Sequence, residues 1–165
     1  MRWIFVVAQM LATAQTPGDS EALQLLPSIV QSGWESAARP DGRQPLLLDI
    51  RSFRLHASMA LDRDVGAAEI AGIMVRPIRQ VTEEQAIQCA PQESPLTCSI
   101  VDDGILVRLD CLTRTAAGFQ ALVSTKWTRR RDPEHATIGA NQLRIWFAQE
   151  HNVWVRKRVA LVMTT

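Results

Sequence analysis

A chain of 165 residues, 47% of them hydrophobic, has enough apolar surface for one domain with a substantial core. Its 18 basic and 17 acidic residues leave a formal net charge of +1, which excludes the strong basic excess typical of dedicated nucleic-acid binders. We therefore expect a single domain that folds without a metal or a cofactor and has no nucleic-acid partner.

Residues 1–14 have the pattern of a secretory signal. Arg2 supplies one positive charge, a short apolar run follows it, and Ala12 and Ala14 form an A-x-A cleavage motif. The competing interpretation is an N-terminal strand or helix in the core. A run this short cannot span a bilayer, which takes about 20 residues, so a retained segment is expected to lie against a membrane surface or a partner. The prediction is export to the periplasm or extracellular space of a bacterial cell envelope, with residues 15–165 forming a single α+β domain.

The N-terminal half is predicted to contain three helices and one strand. Ser20 caps a first helix with apolar residues at the helical period, and Pro27 predicts a kink in it or a division into two short helices. The apolar run at residues 46–50, bounded by turn signals, predicts a buried strand. A second helix is expected over residues 64–74, and the capping box at residues 82–85 begins a third.

Cysteine usage also favours an oxidising compartment. Cys89 and Cys98 bracket a proline-containing loop that is unsuited to a helix. A disulfide closing a loop of about ten residues stabilises a protein by about 2.7 kcal/mol on the chain-entropy estimate, and disulfides persist in oxidising compartments. Two unpaired thiols are the alternative. Cys111 falls in a strand pattern and is expected to be a small buried hydrophobic residue, and no His or second Cys pair stands at metal-ligand spacing.

The C-terminal half has a period of two. Four successive segments alternate apolar and polar residues, and polar turns separate them, which predicts an antiparallel meander with one buried face. The segments are residues 105–111, 119–128, 143–147 and 153–161. The predicted fold class is α+β, with N-terminal helices packed on a C-terminal four-stranded antiparallel meander in a single domain.

This order of elements, helices first and a curved meander last, resembles the NTF2-like and cystatin-like α+β folds. The resemblance covers the chain from about Ser20 onward and includes no diagnostic motif. It implies a concave sheet with a pocket, in folds that host enzymes, ligand carriers and interaction modules alike. A small-ligand-binding protein or enzyme with a pocket between helices and sheet is therefore the alternative function.

The last hairpin carries the candidate partner-binding face. A three-residue loop at residues 149–151 places Trp146 opposite Trp154 and Arg144 opposite Arg156, because other registers turn basic residues toward the core. Trp and Arg are enriched at binding hot spots. The alternative is that helices cover this face and that the Trp pair simply stabilises the sheet. The predicted partner-binding residues are Arg144, Trp146, Trp154, Arg156 and Arg158.

A second candidate surface is the turn that carries Arg129, Arg130 and Arg131. It is predicted to be either a solvated hairpin tip or a contact for anionic lipid headgroups or an acidic partner.

Nothing in the sequence predicts a catalytic site. His135 and His151 fall in turns, which leaves His56 as the one histidine that can enter a pocket, and no nucleophile, phosphate-loop or zinc motif is present. Single-stranded nucleic acid stacked on the two Trp residues is the weakest alternative, because the net charge opposes it. The expected function is that of a non-enzymatic, extrinsic accessory or stabilising subunit of a larger membrane-associated complex, of the respiratory or photosynthetic kind. Its expected partner is a protein, with peripheral membrane contact as a further expectation.

Overall fold

The computed structural model describes residues 17–49, 54–56, 62–64, 70, 72, 74, 77–90, 97–130 and 136–165. The predicted signal at residues 1–14 lies outside this part of the chain and stays a prediction. Among the helices described, none combines the length and the apolar character that crossing a membrane requires.

Helix α1, Pro17–Glu35, is the main helix of the described chain. Proline suits its first position, where no helical partner is needed for a backbone N–H. The helix runs through Pro27 as one element, although the lost hydrogen bond and ring clash of an internal proline cost about 3 kcal/mol. Burial offsets this cost, since each large apolar side chain contributes about 1.5–3 kcal/mol. The buried apolar residues of α1 are Ala22, Leu23, Leu25, Leu26, Ile29, Val30 and Trp34.

The rest of the described chain is mostly strand. The strands are β1 (Leu46–Asp49), β2 (Arg54–His56), β3 (Asp62–Asp64), β4 (Ile78–Val81), β5 (Ile87–Ala90), β6 (Thr97–Ile100), β7 (Ile105–Thr115), β8 (Gly118–Arg130), β9 (Ala136–Glu150) and β10 (Val153–Thr164). The main sheet has the order β10-β9-β8-β7-β1-β4, with β2 beside β7 and β3 beside β2, and β5 and β6 form a separate two-stranded sheet.

The predicted fold class is wrong. The four long strands β7 to β10 do form an antiparallel meander, but the sheet continues past β7 through β1 and β4, which run parallel to their neighbours. All four residues of β1 are buried, so this strand lacks the alternation that marks a half-exposed strand. The result is a mostly β domain with a mixed sheet and one long helix. The predicted second helix does not begin at Asp64, which ends strand β3. Ile70 and Gly72 are helical and the Met74 N–H donates to the Ile70 carbonyl at 3.2 Å, while residues 65–69, 71 and 73 lie outside the described part of the chain.

The third predicted helix begins as expected and then stops after one turn. Thr82 Oγ1 accepts a hydrogen bond from the Gln85 backbone N–H at 3.2 Å, and Gln85 Oε1 accepts one from the Thr82 N–H at 2.9 Å, so the capping box is present. The helix, α2, spans only Glu83–Ala86. The chain turns into strand β5 at Ile87 because the pairing of β5 with β6 outweighs the local helix signal.

Helix α1 lies close against the middle of the sheet. A Cβ atom on Gly33 would stand 2.9 Å from Val107 Cγ1 and 3.0 Å from Val123 Cγ1, so any side chain there would force the helix or these valines to move. The Thr125 hydroxyl donates to the Gly33 carbonyl at 3.1 Å. Glycine at this position therefore lets α1 pack directly on β7 and β8, and the main core fills the space between helix and sheet.

A smaller core lies on the opposite face of the sheet, where β5, β6 and α2 cover one end. It contains Leu47, Val81, Ala86, Ile100 and Leu106. The Ile100 backbone N–H donates to the Thr128 hydroxyl at 2.8 Å, which fixes β6 across the end of β8. The remainder of this second face, over β7, β8, β9 and β10, contains three of the five predicted partner-binding residues, Arg144, Trp146 and Arg158.

Candidate protein-docking face

The hairpin between β9 and β10 turns over two residues, and the predicted three-residue loop is wrong. His151 and Asn152 both have positive φ angles, 50° and 63°, as a two-residue type I′ turn requires. This turn places Trp154 opposite Gln149 and Arg156 opposite Phe147. The twist of a I′ turn matches the twist of the strands, which favours it over the longer loop.

This register separates the two Trp residues. Trp154 lies on the α1 side, where its ring meets that of Phe119 edge to face at a centroid distance of 5.0 Å. It is half-buried and packs on the main core. Trp146 lies on the second face of the sheet, because its neighbours Ile145 and Phe147 are the ones buried under α1. The predicted cross-strand Trp pair is therefore absent.

A β-bulge at Lys157 decides where the basic residues go. The register shifts between Arg156 and Arg158, so these two side chains lie on opposite faces of β10. Arg156 reaches α1, where its Nη1 donates to Ser32 Oγ at 2.6 Å and stands 3.8 Å from Glu35 Oε2. The sequence argument excluded this register because it turns Arg156 toward the helix. The observed register is possible because β10 is the outermost strand, so Arg156 can reach polar partners at the edge of α1.

Three of the five predicted partner-binding residues share the second face. The Arg158 guanidinium lies over the Trp146 ring, 5.0 Å from its centroid, in a cation–π contact. Trp146 is half-buried, and Arg144 and Arg158 are exposed beside it. We call Arg144, Trp146 and Arg158 the Trp146 face. Stacking on the ring orders the exposed Arg158 side chain, and a planar guanidinium can still donate hydrogen bonds while it is stacked.

A carboxylate network lies next to the Trp146 face on the same side of the sheet. Asp110 accepts hydrogen bonds from Arg108 Nε at 2.8 Å, from Gln142 Nε2 at 3.2 Å and from the Ser124 hydroxyl. The Arg108 Nη1 also donates to Glu83 Oε2 at 2.9 Å. Sequence reasoning missed this network, although the alternation of β7 and β8 already placed these polar residues on one face.

The guanidinium of Arg108 has a raised pKa because of the carboxylates around it. Burial lowers the pKa of its guanidinium, but the hydrogen bond and charge of Asp110 outweigh burial, helped by the charges of Glu83 and Asp49, and the net shift is upward. A raised pKa on a cationic group means that its contribution to stability is lost only as the pH rises through that value. Arg108 therefore stays positive at neutral pH, where it bonds to both Asp110 and Glu83.

Replacing Asp110 with Ala is expected to lower the free energy of unfolding by about 2 kcal/mol. The Asp110 side chain is only 16% exposed, and its loss leaves three donors without their acceptor. Urea unfolding followed by circular dichroism measures this change. Asp110→Asn is the matched control, because it keeps the size and one carbonyl oxygen and should cost clearly less. Equal losses for the two variants would mean that the hydrogen bonds contribute little.

The other predicted contact surface is only partly described. Arg129 and Arg130 end strand β8 and are exposed, and Arg131 and His135 lie outside the described residues. The prediction of a contact with anionic headgroups or an acidic partner thus stays a prediction.

The disulfide between Cys89 and Cys98 is present. It joins directly opposed residues of β5 and β6, with 4.1 Å between the Cα atoms. Cys111, expected to be buried, is half-buried on the second face of the sheet, and its Sγ lies 3.0 Å from Thr113 Oγ1.

The histidines of the described chain do not belong to a group of side chains that could bind a metal. His151 is exposed in the β9–β10 turn, and His56 lies in strand β2. Among the described residues, no three His, Cys, Asp or Glu side chains are grouped so that they can hold a metal ion.

Two open depressions of about 280 Å³ each lie at the surface. The first is at the tip of the β7–β8 hairpin, beside Gly118 and Trp154. The second lies between α1 and β10 and is lined by Ser32, Glu35, Ser36, Leu143, Arg156 and Val159. The alternative function requires a pocket between helix and sheet, and there the buried side chains of α1, β7, β8 and β9 form one packed cluster. Comparisons of this chain with protein-family models, curated proteins and solved structures give no match.

Proposed function

We propose that this chain is a non-enzymatic, exported accessory subunit that docks onto a larger membrane-associated assembly, such as a respiratory or photosynthetic complex, through the Trp146 face. The observation that carries the proposal is the Arg158–Trp146 stack, in the part of the second face that β5 and β6 leave uncovered. A large aromatic ring and two Arg side chains on one flat surface are the groups that dominate measured protein–protein hot spots.

The environment of the stack supports a rigid docking surface. The Asp110 network braces the neighbouring strands β7, β8 and β9, so the Trp146 face loses little conformational freedom when a partner binds. A carboxylate or backbone carbonyl on the partner would pair with Arg144, and an apolar side chain would cover the Trp146 ring.

Two features support the compartment. The Cys89–Cys98 disulfide is of a kind that persists in oxidising compartments, and the signal pattern of residues 1–14 directs export. A periplasmic or extracellular location on this basis places the protein where the extrinsic domains of membrane complexes are accessible to it.

The test compares assembly size in the native source. We expect the tagged wild-type chain to sediment with a larger assembly in a gentle detergent extract, and the Arg144→Ala/Trp146→Ala variant to sediment as a free chain. Losing a hot-spot residue costs about 2 kcal/mol or more, which is roughly a 30-fold weaker affinity. Both proteins should have the same circular dichroism spectrum, since neither side chain belongs to the main core.

Arg43→Ala is the matched control, because it removes an exposed Arg from the segment between α1 and β1, outside both candidate contact surfaces. It should sediment with the assembly like the wild type. A double variant that still sediments with the assembly would refute the docking face, and a wild-type chain that sediments alone would refute the proposed function.

A further inference from the structure

Among the described strands, β10 forms an open edge of the main sheet, and several of its apolar side chains are exposed. In the described chain β10 pairs only with β9. The exposed large hydrophobic residues of the described chain all lie on it: Val153, Val159, Leu161, Val162 and Met163. Long edge strands with exposed apolar residues pair with other strands unless something blocks them. We therefore expect a further strand to pair with this edge.

The backbone of β10 defines where a further strand can bind. Ala140 and Thr165 exchange both backbone hydrogen bonds, at 2.9 and 3.2 Å. Because bonded and non-bonded pairs alternate along an antiparallel ladder, and the register of the pairs is known, the residues of β10 that point their N–H and C=O groups away from β9 follow directly. From residue 156 to the end of the strand, across register shifts at Lys157 and Val162, these outward residues are Arg156, Val159, Leu161 and Thr164.

These outward residues are arranged symmetrically about Ala160. Val159 and Leu161 flank it at one position on either side, and Arg156 and Thr164 flank it at four. A two-fold axis at Ala160 therefore brings Val159 opposite Leu161 of a second copy, with the outward backbone groups of both facing each other. We propose that two copies of this chain pair antiparallel through β10 about this axis, which joins their main sheets into one.

Side-chain packing favours this arrangement. Val159 and Leu161 lie on the α1 side of the sheet, because their partners on β9, Ile145 and Leu143, are buried under α1. In the paired copies the four side chains form one apolar cluster that extends the depression between α1 and β10. The small side chain of Ala160 lies on the axis and lets the two strands approach.

Charge selects one register. In the proposed pairing, the basic run Arg156, Lys157 and Arg158 lies opposite Thr164, Met163 and Val162 of the second copy. A register centred on the basic run would instead oppose like charges directly, which destabilises a strand pair. The basic half of β10 thus disfavours self-pairings centred on it, and the apolar half provides the contact.

A charge-exchange experiment on the full chain tests the register. Sedimentation equilibrium should give the mass of two chains for the wild type. Val159→Lys and Leu161→Glu should each weaken dimerisation by about tenfold or more, since each leaves a charge opposite an apolar side chain. The double variant Val159→Lys/Leu161→Glu should dimerise again, because Lys at 159 then faces Glu at 161 of the other copy. A wild-type monomer, or a double variant no stronger than the single ones, would overturn the proposal.

A second measurement tests the axis and does not depend on those variants. In a Cys111→Ser background, Ala160→Cys should form a disulfide between copies on mild oxidation. Non-bonded antiparallel pairs have Cα atoms about 4.5 Å apart, which is within disulfide range. Val153→Cys is the control, since residue 153 is exposed on the same strand but far from the axis. Equal cross-linking at both positions would contradict a two-fold axis at Ala160. Loss of the dimer would leave the docking role of the Trp146 face untouched, because the docking test replaces Arg144 and Trp146, which lie on β9, and only Arg158 of that face lies on β10.

Discussion

Trp154→Ala is expected to lower the free energy of unfolding by about 3 kcal/mol, the low end of the range for truncating a buried aromatic residue. The Trp154 ring packs edge to face on Phe119, and this contact alone accounts for about 0.5–1.5 kcal/mol beyond burial. Phe119 is itself buried in the main core, so removing Trp154 opens that core at the β8–β10 side. Urea unfolding at constant protein concentration measures the loss.

Trp146→Ala is the matched control on the same hairpin. Its ring lies on the second face and contacts Arg158, a cation–π pair worth about 0.5–1 kcal/mol at an exposed site. We expect its unfolding midpoint to stay close to that of the wild type. The sequence analysis predicted that both Trp residues lie on the same face of the sheet. Similar losses of stability for the two variants would therefore show that the register of the β9–β10 hairpin differs from the one described.

Removing the disulfide is expected to lower the free energy of unfolding by about 2.7 kcal/mol. The bond between Cys89 and Cys98 closes a short loop in the unfolded chain, and its loss restores conformational freedom to that state. It also holds β5 against β6, which carries Ile100 over the smaller core. The Cys89→Ser/Cys98→Ser variant, compared with the wild type by urea unfolding, measures this contribution.

Two comparisons sharpen the disulfide test. Cys111→Ser should be close to neutral, because this thiol is unpaired and half-buried. Reduction of the wild type should lower its stability to that of the double Ser variant and no further. An intact mass of the native protein that lacks residues 1–14 and two further hydrogens would establish both export and the bond. A wild type whose stability is insensitive to reduction would contradict the assigned contribution.

Local patterns predicted the long strands well. The alternation in residues 105–161 identified β7 to β10, because β7, β8 and β9 each have one face under α1 and β10 continues the same alternation at the edge of the sheet. The capping box at Thr82 and the disulfide were also predicted correctly, since each depends on residues close together in the sequence.

The sequence did not predict which distant segments pair with each other in the sheet. Strand β1 has four buried residues and no alternation, so nothing in it indicates that it lies parallel between β7 and β4. The register of the last hairpin depends on its two-residue turn and on a bulge at Lys157. The turn places Trp154 and Arg156 on the α1 side, and the bulge returns Arg158 to the second face, so the Trp146 face contains three of the five predicted residues. Bulges insert one residue without a strong sequence signal.

The parallel placement of β1 also governs the order in which the chain can fold. Helix α1 and strand β1 are made early during synthesis, but they pack on β7 and β8, and Leu46 has to wait for Ile105 to pair with it. A contact between segments so far apart in the sequence forms slowly, because closing the long loop between them costs entropy. The hairpins of β7 to β10 need only short loops. Native packing of the N-terminal half therefore waits until β7 and β8 have been synthesised. For the exported role that we propose, this delay is an advantage, because a segment that has not yet packed can still pass through a membrane channel in extended form.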